Sequence, residues 1–250
     1  MLRHFLLSRV LHGTYLIKSL LFLFLLITSN LWAGISPSKE EQIKGIIANM
    51  ESAYALVEGY RTETEVNEYR TGRPVETQRF LYTFKKPDHM RIDMEDPHSG
   101  MILVFPDKNG KVLVKPGGKS GFLKFHLSPD SMFLRHSAGQ RIDHTDLGLL
   151  IQNIVHSLTD RRHGEIRISG QDDRIVMEVL AEDHFLAGVR TLYQFSIDKT
   201  RWLPVAVKEF TADGILKRKV EFRNLTTSVD IPDNFFRIDG GNAEDDRPDR

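Results

Sequence analysis

The 250-residue chain contains no cysteine. That excludes disulfides, thiolate metal sites, a cysteine nucleophile and an acylated cysteine. Neither sign of charge is in excess: 34 Lys and Arg stand against 34 Asp and Glu, so nothing suggests a nucleic-acid partner. No internal repeat occurs. No GxSxG marks a nucleophile. "GKSG" (Gly118–Gly121) lacks the glycine spacing and the strand–loop–helix setting of a phosphate loop, and reads as a turn. The ten histidines form no HxH pair on a strand and no HxxxH pair on a helix. His136, His144 and Asp146 share an irregular stretch but make a weak ligand set, so neither a metal nor a cofactor is expected. No pair of acids stands out as glycosidase-like.

What is present begins at the N-terminus. "MLRHFLLSRVLHGTYLIK" carries Arg3, Arg9 and Lys18 and no acid, and "SLLFLFLLITSNLWA" then runs almost wholly apolar to Ala33. A basic region, a short apolar core and a small residue at its end make a secretory signal peptide over residues 1–33, which implies export to the periplasm. An uncleaved anchor is the other reading, although the run is short for a span of about 20 residues. Cleavage leaves 31 basic against 34 acidic residues.

The remainder, at 40% hydrophobic composition for the whole chain, suits one domain over residues 34–238. "SPSKEEQ" offers helix-start chemistry, and Ile43, Ile46, Ile47, Met50, Tyr54 and Val57 recur at helical spacing, which predicts a helix over about 38–58. The period then changes to two. Short alternating runs joined by Pro, Gly, Asn and Asp turns predict about ten or eleven antiparallel strands. In "RFLYTFKKPDHMRIDM", Phe80, Tyr82 and Phe84 share one side of the first run, and Met90, Ile92 and Met94 continue the same aromatic and methionine face after the turn. The opposite register would turn Arg79, Thr83 and Lys85 inward, which desolvation disfavours.

The meander is interrupted at about 119–160. There "HTDLGLLIQNIVHSLTD" predicts a helix whose apolar face holds Leu147, Leu150, Ile151, Ile154, Val155 and Leu158. Long insertions of this kind are usually functional or mobile. His156 reads as a helix-edge residue. In "LKRKVEFR", Arg218 falls in the apolar row of Leu216, Val220 and Phe222 and reads as a rim residue with its head in water. Residues 239–250, polar and charged, read as a disordered tail.

The order of these features resembles the periplasmic outer-membrane lipoprotein carriers, the LolA/LolB-like fold. Four places carry the resemblance. They are the signal peptide followed by one amphipathic helix, "GRPVETQRFLYTFKKPDHMRIDMEDP", the hairpin "MILVFPDKNGKVLVKP", and the closing "VDIPDNFFRI". The central "SPDSMFLRHSAGQRIDHTDLGLLIQNIVHSL" departs from the carrier's lid and looks more like a lipoprotein-sorting-like branch.

The resemblance implies a mainly β fold, an unclosed antiparallel barrel covered by the N-terminal helix and a helical lid. Its hollow would hold acyl chains of lipids or lipoproteins without covalent chemistry, for transfer between inner- and outer-membrane proteins. The wall would comprise Phe80, Tyr82, Phe84, Met90, Ile92, Met94, Tyr193, Phe195 and Phe222. The lid would present Leu150, Ile154 and Leu158, with Lys86 at the place of the carrier's lid-holding arginine. A monomer is expected. A lipid-responsive sensor or envelope assembly factor is the alternative, and an enzyme using the hollow is a further one, because fold alone does not fix function.

Overall fold

The computed structural model describes residues 37–134, 141–160 and 165–238. The signal segment, the 239–250 tail and His136 lie outside the described residues. The chain divides into two compact units, Met1–Gln42 and Ile43–Arg250.

Of the first unit, residues 37–42 are described, and they open helix α1 (Lys39–Ala55). The Ser38 hydroxyl accepts from the Glu41 amide at 3.2 Å, and the Glu41 carboxylate accepts from the Ser38 amide at 2.7 Å. This reciprocal capping box satisfies two amides that helix geometry leaves open. The helix stops at Ala55, three residues short of the predicted end at 58. There the Lys86 ammonium donates to the carbonyls of Tyr54 (3.0 Å) and Ala55 (3.3 Å), a favourable place for a cation. Val57 turns back into the core and Gly59 starts the first strand.

The second unit is built on one antiparallel sheet of eleven strands. They are β1 (Gly59–Arg70), β2 (Arg73–Lys85), β3 (His89–Asp96), β4 (Ile102–Phe105), β5 (Val112–Lys115), β6 (Phe125–Leu127), β7 (Arg167–Gln171), β8 (Arg174–Glu182), β9 (Arg190–Asp198), β10 (Pro204–Thr211) and β11 (Leu216–Thr226). The order is β6-β5-β4-β3-β2-β1-β11-β10-β9-β8-β7. Only β1 and β11 are neighbours out of sequence. The sheet is not closed, as expected: β6 and β7 are its two edges.

The segment from Leu127 to Arg167 therefore leads from one edge to the other, and it carries α2 (Leu147–Thr159). The interruption predicted at about 119–160 is thus not all covering segment. Its first part gives the Gly118–Ser120 turn and then β6, paired to β5 from Val112↔Leu127 to Val114↔Phe125. β6 is only three residues long, too short for a period of two to show.

One face of the sheet meets the helices. Ile46, Met50, Tyr60, Tyr82, Phe84, Met90, Tyr193, Phe195, Leu147, Ile151, Ile154 and Leu158 belong to a single buried cluster. At about 25 cal/mol per Å² of apolar surface removed from water, this cluster is the main source of stability. The other face of β3–β5 is covered by the C-terminal segment, where Val104 packs with Ile231, Phe236 and Ile238. Arg91 anchors that segment. It forms an ion pair with Asp93 (2.9 Å), donates to the Phe235 carbonyl (2.9 Å) and lies 4.5 Å above the Phe235 ring, while Arg61 lies 4.6 Å from the same ring. Among the described residues no helix is long and apolar enough to cross a membrane.

Candidate functional site

Strand alternation decides what faces α2. On β1, Tyr60, Thr64 and Val66 point to that side; on β2, Phe80 and Tyr82; on β3, Ile92; on β10, Val207 and Glu209; on β11, Arg218, Val220 and Phe222. Between this wall and Thr145, Asp146, Leu150 and Asn153, at and within the start of α2, lies a hollow of about 110 Å³. His184 and Phe185, from the β8–β9 turn, complete its lining.

α2 is held over the hollow by a few polar contacts. The Asp146 carboxylate caps it, accepting from the amides of Gly148 (2.7 Å) and Leu149 (3.1 Å). The Leu147 amide donates to the Tyr60 hydroxyl at 2.9 Å. The hydroxyls of Tyr82 and Thr145 lie 3.2 Å apart. At the far end Ser157 Oγ and His184 Nε2 lie 2.8 Å apart. The His184 ring stacks on Tyr193, centroid to centroid 4.1 Å. Burial holds the His184 pKa down at about 4, with Asp183 opposing and His156 adding to the shift. The imidazole is therefore neutral at pH 7. Burial likewise raises the Tyr60 and Tyr82 phenols, so both stay protonated.

The sequence-predicted residues separate into two groups. Phe80, Tyr82, Ile92, Phe222 and Leu150 line the hollow. Phe84, Met90, Tyr193, Phe195, Ile154 and Leu158 are buried in the packed core instead, and Met94 is partly buried against it. Lys86 does not hold α2 directly. Its hydrogen bonds go to α1, and its ammonium lies 4.7 Å from the Tyr54 ring centroid. Tyr54 in turn donates to Asp146 Oδ1 at 3.2 Å, so Lys86 reaches α2 only through Tyr54.

Arg218 departs from its predicted place. Only 6% of the residue is exposed, so its head is not in water. Cross-strand pairing sets Glu68 and Glu209 on either side of it, and the guanidinium lies 3.2 Å from Glu68 Oε1 and 3.6 Å from Glu209 Oε1. Burial raises both carboxyl pKa values, with Arg218 opposing in each case. Sequence reading missed Glu68, Glu209 and His184. The inward parity of the two glutamates is readable from their strands, but their meeting at Arg218 depends on the β1–β11 and β10–β11 registers.

Of the weak histidine set, Asp146 is the cap of α2, His136 lies outside the described residues, and nothing is described of the His144 side chain. Among the described residues no group of three or more His, Cys, Asp or Glu is placed to hold a metal ion. His156 is exposed on α2. Ser157 is fully buried and does not line the hollow, so the Ser157–His184 pair presents no nucleophile to it.

No protein-family model matches the chain, and no curated protein does. Solved structures do resemble it. An uncharacterized conserved protein from Thermus thermophilus has a TM-score of 0.47 at 9% identity, over 80% of this chain and 95% of that one. MucB has a TM-score of 0.45 at 12% identity, over 79% of this chain; the match spans 62% of MucB's length. A LolA superfamily protein from Nitrosomonas europaea has a TM-score of 0.37 at 10% identity, over 78% of this chain and 97% of that one. At these values the likenesses say nothing of activity, ligand or partner.

Proposed function

We propose that this protein is exported to the periplasm and holds acyl chains of lipids or lipoproteins in the hollow under α2, for non-covalent transfer between membranes. The observation that carries the reading is the hollow itself. Val66, Phe80, Ile92, Leu150, Val207, Val220 and Phe222 give it a mostly apolar wall, and a helix joined to the sheet by a few hydrogen bonds covers it. Each methylene moved from water into such a wall gains about 0.8 kcal/mol, which is enough to extract a chain without covalent chemistry.

Size bears on the mechanism. A 110 Å³ hollow is near the engineered 150 Å³ cavity that takes up benzene, and below the several hundred Å³ of ordinary ligand pockets. A long chain enters only if α2 moves outward. The bonds from Tyr60, Tyr82 and His184 must then break and the buried side chains of Leu147, Ile151, Ile154 and Leu158 must leave the core, so that the apolar face of α2 covers the ligand instead of the sheet.

The test is to purify the full chain, extract it with organic solvent and analyse the extract by mass spectrometry. Acyl lipid or lipoprotein in stoichiometric amount supports the reading. A protein that carries none, and that takes up none from vesicles, refutes it. A second reading, an enzyme acting inside the hollow, draws on the titratable groups Glu209, Arg218 and His184 in its lining. Turnover of an ester or amide amphiphile that is lost in Glu209→Gln distinguishes it. A sensor differs from a carrier in keeping its ligand when mixed with acceptor vesicles.

A further inference from the structure

Besides its apolar wall, the hollow is lined by Thr64, Asp146, Glu209 and Arg218, which bear on the head group of an amphiphile rather than on its chain. The inference rests on the acyl-binding reading above and deepens it. Arg218 is the single permanent cation among the described residues that line the hollow, and two carboxylates already flank it. Glu68 Oε1 lies 3.2 Å and Glu209 Oε1 3.6 Å from its guanidinium nitrogens. Arg218 and Glu209 are each 6% exposed. Nearby, the Asp183 carboxylate is matched by Lys217 at 3.1 Å. Asp146 adds a further carboxylate to the lining, and the His184 imidazole is neutral at pH 7. The wall thus carries more negative than positive charge.

A second feature points to an occupant. Thr64 is 4% exposed and lines the hollow, yet its hydroxyl finds no hydrogen-bond partner. Buried polar atoms are normally satisfied, so this one is open to a polar atom of whatever enters.

We propose that the hollow selects amphiphiles with a protonated amine over those with a carboxylate or phosphate. An anionic head would be one more anion around a guanidinium already shared by two carboxylates. Water is largely excluded there, so like charges repel more than they would in bulk. An ammonium brings three donors and a positive charge to Glu209 and Glu68. Burial raises both carboxyl pKa values, and a bound cation acts in the opposite direction, as Arg218 already does.

The experiment is isothermal titration of the full chain at pH 7 with n-decylamine, n-decanoate and 1-decanol. The expected result is decylammonium binding at least tenfold tighter than decanoate, with decanol between them. Glu209→Gln is expected to shrink the tenfold preference to less than threefold. Glu68→Gln, at the better-exposed carboxylate, does the same in part and serves if the first variant does not fold. Decanoate binding as tightly as decylammonium overturns the charge selection and leaves the acyl-binding reading standing. So does a preference that survives both substitutions. If none of the three binds, the acyl reading falls and the head-group inference with it.

Discussion

The Tyr54 hydroxyl donates to Asp146 Oδ1 across 3.2 Å and so ties the last turn of α1 to the residue that caps α2. The joint is close-packed. A Cβ added at Gly148, in the first turn of α2, would meet Tyr54 Cε1 at 2.6 Å and Asp146 Oδ1 at 2.8 Å. Burial is the largest cause of the raised Tyr54 pKa, followed by Asp146, so the phenol keeps its proton and remains the donor.

Gly148→Ala should therefore push the start of α2 off Tyr54. The gain in helix propensity, about 1 kcal/mol for Gly to Ala, opposes this but does not remove the overlap. The expected outcome is a net loss of about 1 kcal/mol in urea unfolding and at least threefold faster release of a fluorescent fatty acid in stopped flow. Tyr54→Phe, which keeps the ring and drops the bond, should speed release with less loss of stability, about 0.5–1 kcal/mol. Unchanged release in both variants would mean that α2 does not open from this end.

Leu150 lines the hollow from α2, facing the wall that holds Val220 and Phe222. Leu150→Phe puts extra volume into a space of about 110 Å³. Because the space is there to receive it, the variant should unfold within about 1 kcal/mol of the parent, against 1–3 kcal/mol for overpacking a filled core. Acyl-chain uptake should fall at least tenfold. The same assay on Ile154→Phe, at a fully buried core position, should show the larger loss of stability.

These residues also show where sequence reading succeeds. The inward turn of Tyr82 and Phe84 follows from alternation plus the cost of burying Arg79 or Lys85, and the buried row Leu147, Ile151, Ile154 and Leu158 follows from helical spacing. Eleven strands without closure followed from the turn signals and the resemblance together. Lys86 and Arg218 were harder. Lys86 is at the expected turn, but its partners are carbonyls of α1, and a backbone acceptor leaves no mark in a sequence. Arg218 appeared as one cation in an apolar row. Its two glutamates come from β1 and β10, and β1 meets β11 only because the first and last strands in sequence pair in the middle of the open sheet. The division between wall and core was equally invisible: Phe80 and Phe84 have the same parity, yet only Phe80 reaches the hollow.

The Arg218 cluster makes its own prediction. Arg218→Met removes the cation between two carboxylates, and breaking a buried pair in this way costs about 3–5 kcal/mol. Adding Glu209→Gln removes the uncompensated charge beside it. The double variant should regain at least half of the loss, measured by urea unfolding at pH 7. A double variant no more stable than Arg218→Met would show that Glu209 takes up a proton once Arg218 is gone, so that no uncompensated anion is left behind.

His184 gives a pH dependence whose direction is fixed. Its pKa is about 4 in the folded protein, lowered by burial from an ordinary value of 6.5. The unfolded chain therefore takes up a proton between these values while the folded chain does not. Stability from this group is complete above about pH 6.5 and is lost progressively as pH falls toward 4. At 1.36 kcal/mol per pH unit, the loss approaches about 3 kcal/mol. Asp183, Asp198 and Asp107 have lowered pKa values and also lose stability in acid, whereas the raised Glu68 and Glu209 act in the opposite sense. His184→Gln isolates the histidine, because those groups are common to both proteins. The difference in unfolding free energy between parent and variant should narrow by about 2–3 kcal/mol from pH 7 to pH 4.5. A constant difference across that range would show that His184 is not held neutral. Because His184 meets α2 through Ser157 at 2.8 Å, its protonation should also loosen α2, and ligand release in the parent should quicken in acid while that of His184→Gln should not.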